Sequence, residues 1–382
     1  MSVDLRYSEL DLELRRSVRA MLTLHSPWQR VLTNQDRPDD ATLWSRLATE
    51  MGLAGLAVPE RLGGGGAGLR ENAIVCEELG RAVAPVPYLA SAVVATQTLL
   101  ACAAERWLTQ LADGTRRAVV VVPVDTPPGP AGVRPAPVGV HAGPAFGPGV
   151  RADDHRLTGT VPGVADAATA DLLLVPTVDE LWIVEAVAAG VSRSPVVSLD
   201  QTRALTDFSF DAVPAYRIAA GRAAAGALHW GLTAGAVLLA AEQYGLAQWC
   251  LDAAVDQLKT RYQFGRPIGG FQALKHRLAD AWVEVTQARA VARYAVGVLA
   301  DADPGAGPDS EAQVAAALAQ AHCGPVAVRL AEECVQLHGG LGFTWEHPVH
   351  LYLKRARTAA VAFGGADRHR SALAGLVDLP PG

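Results

Sequence analysis

The sequence predicts an α+β multidomain protein, with an N-terminal helical domain over 1–115, a small β domain over 116–218 and a C-terminal four-helix bundle over 219–382. Three observations carry this. Ala-rich stretches with helical apolar spacing fill both ends of the 382-residue chain. Between Arg117 and Pro214 the apolar runs become short and are cut by Gly, Pro and Asp. After Arg222 several long apolar helical stretches follow one another, as a bundle requires.

The elements follow in order. LDLELRRSVRAML places Leu10, Leu12, Leu14, Val18 and Leu22 close to a 3.6-residue rhythm. ATLWSRLATEMGL predicts a second helix ended by Gly52, and AGLRENAIVCEELGRAV a third that stops before Pro85. LASAVVATQTLLACAAERWLTQLADG closes the helical region. AVVVVPV, RLTGTVPGV, ADLLLVPT, ELWIVEA and DFSFDAV read as strands, with the Pro/Gly-dense Pro127–Gly149 as a loop among them. Residues 223–264 are long enough for one extended helix, and 272–301 for another. The third bundle stretch, SEAQVAAALAQAHCGPVAVRLAEECVQLHGG, is expected to break at Gly324 and Pro325. HPVHLYLKRARTAAVA and DRHRSALAGLV complete the bundle.

Composition narrows the function classes. Half the residues are hydrophobic, the net charge is -6 and the pI is near 5.9, so no basic surface favours nucleic acid or anionic lipid. The apolar stretch 223–247 is interrupted by His229, Glu242 and Gln243 and dominated by Ala and Gly, which suits a buried helix better than a membrane span. The N-terminus lacks the basic and apolar regions of a signal peptide, so a cytoplasmic location is expected. Five widely spaced cysteines, without a CxxC pair, argue against a disulfide framework or a zinc site.

Two strings carry chemistry. RYQFGRPIGGFQALKHRLAD begins at Arg261, a cation able to direct two hydrogen bonds at phosphate oxygens. QLHGGLGFTWEHP begins at Gln336 and ends a helix in Gly339 and Gly340, which permit positive φ and close backbone approach. Both strings resemble the flavin-binding signatures of acyl-CoA dehydrogenases. The order of helices, β domain and bundle matches that family too, as does the segment MGLAGLAVPERLGGGGAGLRENAIVCEELGRAVAPVPY. The resemblance implies that Arg261, Phe264, Gln272, Gln336, Gly339 and Gly340 hold the adenosine and pyrophosphate end of an FAD shared across a subunit interface.

The departures matter as much. The family places an aromatic, a Glu, a Gly and a Thr after the second motif, and the Glu removes the substrate's α-proton. Here the stretch is Ala362, Phe363, Gly364, Gly365, Ala366, so the usual base position falls at Phe363 or Gly364. Some members carry the Glu on the first long C-terminal helix instead; that position falls near Gly235. Glu242, two turns on, is a candidate displaced base, with Asp367 a weaker one. The family's acidic-Gly-Ser stretch is replaced by VVVVPVDTPPGPAG, and its flavin-stacking Trp is missing from TGTVPGVADAATAD, although Trp182 is nearby in sequence.

The resemblance therefore implies the base-less subunit of a heteromeric α2β2 acyl-CoA dehydrogenase, such as those of actinobacterial steroid side-chain breakdown. A homologous catalytic subunit would supply the base, an acyl-CoA would be the substrate, and an electron-transfer flavoprotein would take the electrons. A self-sufficient enzyme using Glu242, and a flavin-free scaffold or binding protein, are the alternatives. LGGGGAG (62–68) lacks the Lys and Ser/Thr of a phosphate loop and reads as a flexible surface turn. His338, His347, His350 and His369 fit no common metal spacing, and Glu346 with His350 reads as a helix-surface pair.

Overall fold

A computed structural model of the protein describes residues 4–34, 37, 39–129 and 149–378. The N-terminal helices are α1 (Glu9–His25), α2 (Trp28–Thr33), α3 (Ala41–Trp44), α4 (Leu69–Ala82), α5 (Thr96–Ala101) and α6 (Glu105–Leu111). Wide π-type turns, Ser45–Glu50 and Leu89–Ala95, extend α3 and precede α5. Ser8 and Asp11 form a reciprocal capping box at the start of α1. Arg15 and Arg19 of α1 clasp the buried Glu78 of α4 at 2.7 and 2.6 Å.

The middle region contains β1 (Ala118–Val120), β2 (Gly149–Asp153), β3 (Arg156–Ala165), β4 (Leu172–Pro176), β5 (Glu180–Glu185), β6 (Val191–Val196), β7 (Leu205–Pro214) and β8 (Tyr216–Ala220). One sheet has the order β1-β4-β5-β8, with β1 parallel to β4; the other, β2-β3-β7-β6, is antiparallel. The two sheets pack face to face through Val119, Leu173, Trp182, Leu157, Phe208 and Phe210. The opposite face of the first sheet, with Val120, Leu172, Leu174 and Ile183, packs on Leu99, Trp107, Leu108 and Leu232 of the helices. Burial on both faces explains why β4 reads as an unbroken apolar run and not as an alternation. Most of the Pro/Gly loop, residues 130–148, lies outside the described residues.

The C-terminal helices are α7 (Gly221–Thr260), α8 (Gln272–Ala300), α9 (Ser310–His338), α10 (Val349–Ala359) and α11 (Ala366–Leu376). A hairpin of β9 (Tyr262–Gln263) and β10 (Arg266–Pro267) joins α7 to α8. By length and composition α7 and α9 could each cross a membrane, but the most apolar window of α7 is 83% buried within the protein. Gly245 lets α7 meet α4, since a Cβ there would lie 1.8 Å from the Glu77 carbonyl oxygen.

Two expectations fail. Helix α9 does not break at Gly324 and Pro325; it runs through with Pro325 inside it. An interior proline costs about 3 kcal/mol, and burial of Ala319, Cys323, Val326, Ala327 and Leu330 on both sides offsets it. The 62–68 turn is not loose. A Cβ on Gly64 would lie 2.2 Å from the Val58 carbonyl oxygen, so the turn folds tightly onto its own backbone.

Candidate functional site

At the end of α7 the chain turns at Arg261 into an extended conformation, and Arg261 accepts the Ile268 N–H through its carbonyl at 2.9 Å, closing the hairpin base. The hairpin turn is Phe264–Gly265, with φ of +52° and +73°. Two positive φ values at the tip define a turn that suits right-twisted strands and normally prefers Asn or Gly first. Phe264 occupies that strained position with 89% of its surface exposed, and its ring meets Phe271 edge-on at 6.0 Å. A bulky residue held in a disfavoured, exposed conformation marks a candidate binding contact.

The structure brings the two sequence motifs together. Arg261 Nη1 donates to the His338 carbonyl at 3.3 Å. Gly339 follows with φ of +61°, and a Cβ there would lie 3.3 Å from the same Nη1. The turn Gly339–Phe343 then runs exposed through Gly340. Gln336 is exposed on the last turn of α9, and Gln272 is exposed as the first residue of α8. Thus Arg261, Gly339 and Gly340 share one corner; the Gly339 N–H is spent on the Gln336 carbonyl, so the guanidinium supplies the donors there. Glu346 precedes α10, so it does not make a helix pair with His350, whose ring meets Trp345 edge-on at 4.5 Å instead. No group of His, Cys, Asp and Glu suited to a metal occurs among the described residues.

The second region lies between the β domain and the bundle. After α10 the chain turns at Phe363, whose φ is +54°. Its N–H donates to the Val124 carbonyl at 2.8 Å, and its carbonyl accepts from His369 Nε2 at 2.9 Å. Its ring lies against α7: a Cβ on Gly235 would fall 2.7 Å from Phe363 Cζ. Asp367 points outward, 97% exposed, and pairs with Arg370 at 2.7 Å. Trp182 sits between the two sheets, edge-on to His155, and does not reach this region.

Beside Phe363 is a buried charge lattice. Glu242 on α7 accepts from Arg203 Nη2 and from Arg355 Nε, both at 2.9 Å. Arg203 also reaches Asp166 at 3.2 Å, and Arg355 reaches Thr202 Oγ1 at 3.0 Å and Asp200 at 3.5 Å. Burial pushes the Glu242 carboxyl up, but the two guanidiniums outweigh it and hold its pKa below the ordinary value. Asp166 is different: burial dominates, and its pKa rises to about 6 despite Arg203 and Arg355. Apart from Glu242, the members of this lattice carry no motif. Asp166 lies within TGTVPGVADAATAD, where the missing Trp draws attention, and Arg355 sits inside an ordinary basic helical run. Only the fold joins them.

Helices on either side of a small two-sheet domain, with both motifs converging on one corner, define the acyl-CoA dehydrogenase class. The chain belongs to the acyl-CoA dehydrogenase family: residues 8–115 match its N-terminal domain and residues 225–376 its C-terminal domain. It is 34% identical to the acyl-CoA dehydrogenase IpdE2 of Mycobacterium tuberculosis over 350 residues, 91% of either chain. It is 31% identical to FadE27 of the same organism, with 88% of each covered. A variant of the Tcur3481–Tcur3483 steroid ACAD superposes with a TM-score of 0.80 at 31% identity, covering 97% of this chain and 98% of that one. The ChsE4–ChsE5 complex of Mycobacterium tuberculosis gives a TM-score of 0.82 at 26% identity, covering 99% and 100%.

Proposed function

We propose that this chain is the FAD-completing, base-less subunit of a heteromeric acyl-CoA dehydrogenase that desaturates an acyl-CoA at its α,β bond, with a steroid side-chain thioester as the substrate class. One observation carries the reading. The family's base positions fall at Phe363 or Gly364 and near Gly235; the Phe363 ring lies against Gly235, and none of the three has a carboxylate. Proton abstraction needs a positioned acid–base group, and a phenyl ring and a hydrogen supply none. Glu242 cannot readily substitute, because both of its oxygens are held by guanidiniums. That geometry weighs against a self-sufficient enzyme.

The corner around Arg261 supports the cofactor role. FAD, when bound, supplies the hydride acceptor. The Arg261 guanidinium uses one N–H on the His338 carbonyl and has further N–H groups for phosphate oxygens. Gly339 leaves room beside it that a side chain would fill. The partner subunit would seat the flavin ring and contribute the Glu. Two similar solved structures bear paired names, Tcur3481–Tcur3483 and ChsE4–ChsE5, which favours such a pairing. An electron-transfer flavoprotein is the proposed electron acceptor, and the cytoplasm the proposed location.

The test is co-expression with a homologue that keeps the Glu, followed by gel filtration and a flavin count. One FAD per heterodimer is expected, together with a colourless chain when it is made alone. A yellow lone chain bleached by acyl-CoA would overturn the proposal.

A further inference from the structure

A hollow of about 400 Å³ lies between α1, the C-terminal end of α4 and the second half of α7, within the roughly 300–1,000 Å³ that small-molecule sites occupy. Four guanidiniums wall it, those of Arg15, Arg16, Arg19 and Arg81, in a chain whose net charge is -6. The counter-ions of the α1 pairs are buried. Glu77 and Glu78 take Arg15 at 3.4 and 2.7 Å, and Glu78 also takes Arg19 through Nε and Nη2. Asp252, the acidic side chain in the wall, has both oxygens occupied, by Arg81 Nη1 at 2.7 Å and Gln248 Nε2 at 2.9 Å. These bonds hold planar forks in place and leave donors to spare. Nη1 of Arg15 and Arg19, and Nε and Nη2 of Arg81, have no hydrogen-bond acceptor among the described residues. Arg16 is exposed and meets Glu9 only at 3.6 Å. Tyr244 is the second observation. It forms part of the same wall, is 3% exposed, and its hydroxyl has no hydrogen-bond partner among the described residues. That hydroxyl is close enough to Arg15 to interact with its charge. A buried phenol normally bonds something, and a donor left open beside guanidiniums suits an acceptor from outside the chain. An adjoining hollow of about 410 Å³, reached past Leu12 and Arg15, adds Arg6, Arg289 and Arg293.

We propose that this hollow is a binding site for a small phosphate-bearing ligand, whose oxygens take the spare N–H groups of Arg15, Arg19 and Arg81 and the Tyr244 hydroxyl. Phosphate oxygens accept several hydrogen bonds at once, and planar guanidinium forks match them two at a time. A buried donor in a concave hollow of molecular size suits a small ligand better than the flat face of an acidic protein. None of these residues belongs to the Arg261 corner, so the inference does not depend on the proposed function. The test is calorimetric titration of inorganic pyrophosphate into the full-length chain carrying Arg261→Ala, which removes the corner as a competing phosphate site. Saturable binding is expected. Tyr244→Phe removes an oxygen that bonds nothing in the protein, and Arg16→Ala an exposed charge, so both should fold as the parent does. Tyr244→Phe should weaken pyrophosphate binding about tenfold or more, and Arg16→Ala should weaken it by a smaller factor. Absence of saturable binding, or equal affinity in the parent and Tyr244→Phe, overturns the inference. Poly-glutamate that binds where pyrophosphate does not, and is weakened by the same substitutions, would identify a protein-docking surface and overturn it too. The co-expressed complex should take pyrophosphate with the same affinity; loss of binding there would make the hollow a subunit contact and overturn the assignment. Failure of any of these arms leaves the flavin count untouched, so the two readings fail separately.

Discussion

The corner around Arg261 and the turn at Phe363 hold a strained residue in opposite ways. Both contain a bulky residue with a left-handed backbone, Phe264 in one and Phe363 in the other. Phe264 stands in solvent, 89% exposed, beside a guanidinium with donors to spare. Phe363 is turned inward, tied at both its N–H and its carbonyl, and packed against both helical cores. Strain left exposed is available to a ligand; strain absorbed by packing is structural.

The strongest way to break this contrast is at Glu242. As a structural anion, its replacement by Ala leaves Arg203 with Asp166 alone and Arg355 with Asp200 and Thr202, and removing one partner of a buried pair costs about 3–5 kcal/mol. Chemical denaturation should show that loss in the lone chain. A stable variant whose complex loses turnover would instead make Glu242 a catalytic group and end the distinction. Next comes Arg261→Ala. Loss of a charge-assisted phosphate contact is worth ~1.5–3 kcal/mol, so FAD should bind the complex roughly ten- to a hundred-fold more weakly while the lone chain melts as before. Unchanged flavin affinity would remove the corner's assigned role.

Acid should sharpen the contrast at an intermediate magnitude. Burial holds His229 on α7 at a pKa of about 4, below its ordinary 6.5. A histidine kept neutral in the fold but protonated on unfolding contributes stability that is present above pH 6.5 and is lost as the pH falls towards 4. At pH 5 the loss from this one group is about 2 kcal/mol. His369 is shifted the same way by burial, and so adds to the slope. Asp166 has the opposite sign: its folded pKa is raised to about 6, so its stabilising contribution, full at low pH, declines between pH 4 and 6. Denaturation across pH 4–7 should show a net rise with pH that His229→Gln flattens and Asp166→Asn steepens. The smallest effect belongs to Phe264→Asn. Relief of the left-handed strain should stabilise the lone chain by up to about 1 kcal/mol while weakening FAD binding to the complex. Weaker flavin binding without any change in melting would place Phe264 in the corner as a contact that carries no strain.

Much of the candidate corner was legible because its parts are local in sequence. Arg261, Phe264 and Gln272 lie within twelve residues of one another, and Gln336, Gly339 and Gly340 within five, so their residue types and spacing survive as strings. The turn at Phe363 was legible only as an absence. The string AFGG shows that no carboxylate is present, but nothing in it says that the phenyl ring would turn inward to meet Gly235, 128 positions earlier. The charge lattice was least visible, since Asp166, Asp200, Arg203, Glu242 and Arg355 come from two domains and look like ordinary solvated charges.

Taken alone, the sequence determined the fold class, the order of helical and β regions and the strings that meet at the candidate corner. Apolar periodicity, turn chemistry and short motifs act over a few residues and can be read along the chain. It misjudged α9, because the helix's own proline predicts a break that packing against α7, α8, α10 and α11 prevents. Whether a carboxylate is a base or a buried partner depends on which distant groups share its low-dielectric surroundings. Those neighbours exist only once helices and sheets have closed on one another, so tertiary structure alone decided the fate of Glu242 and Phe363.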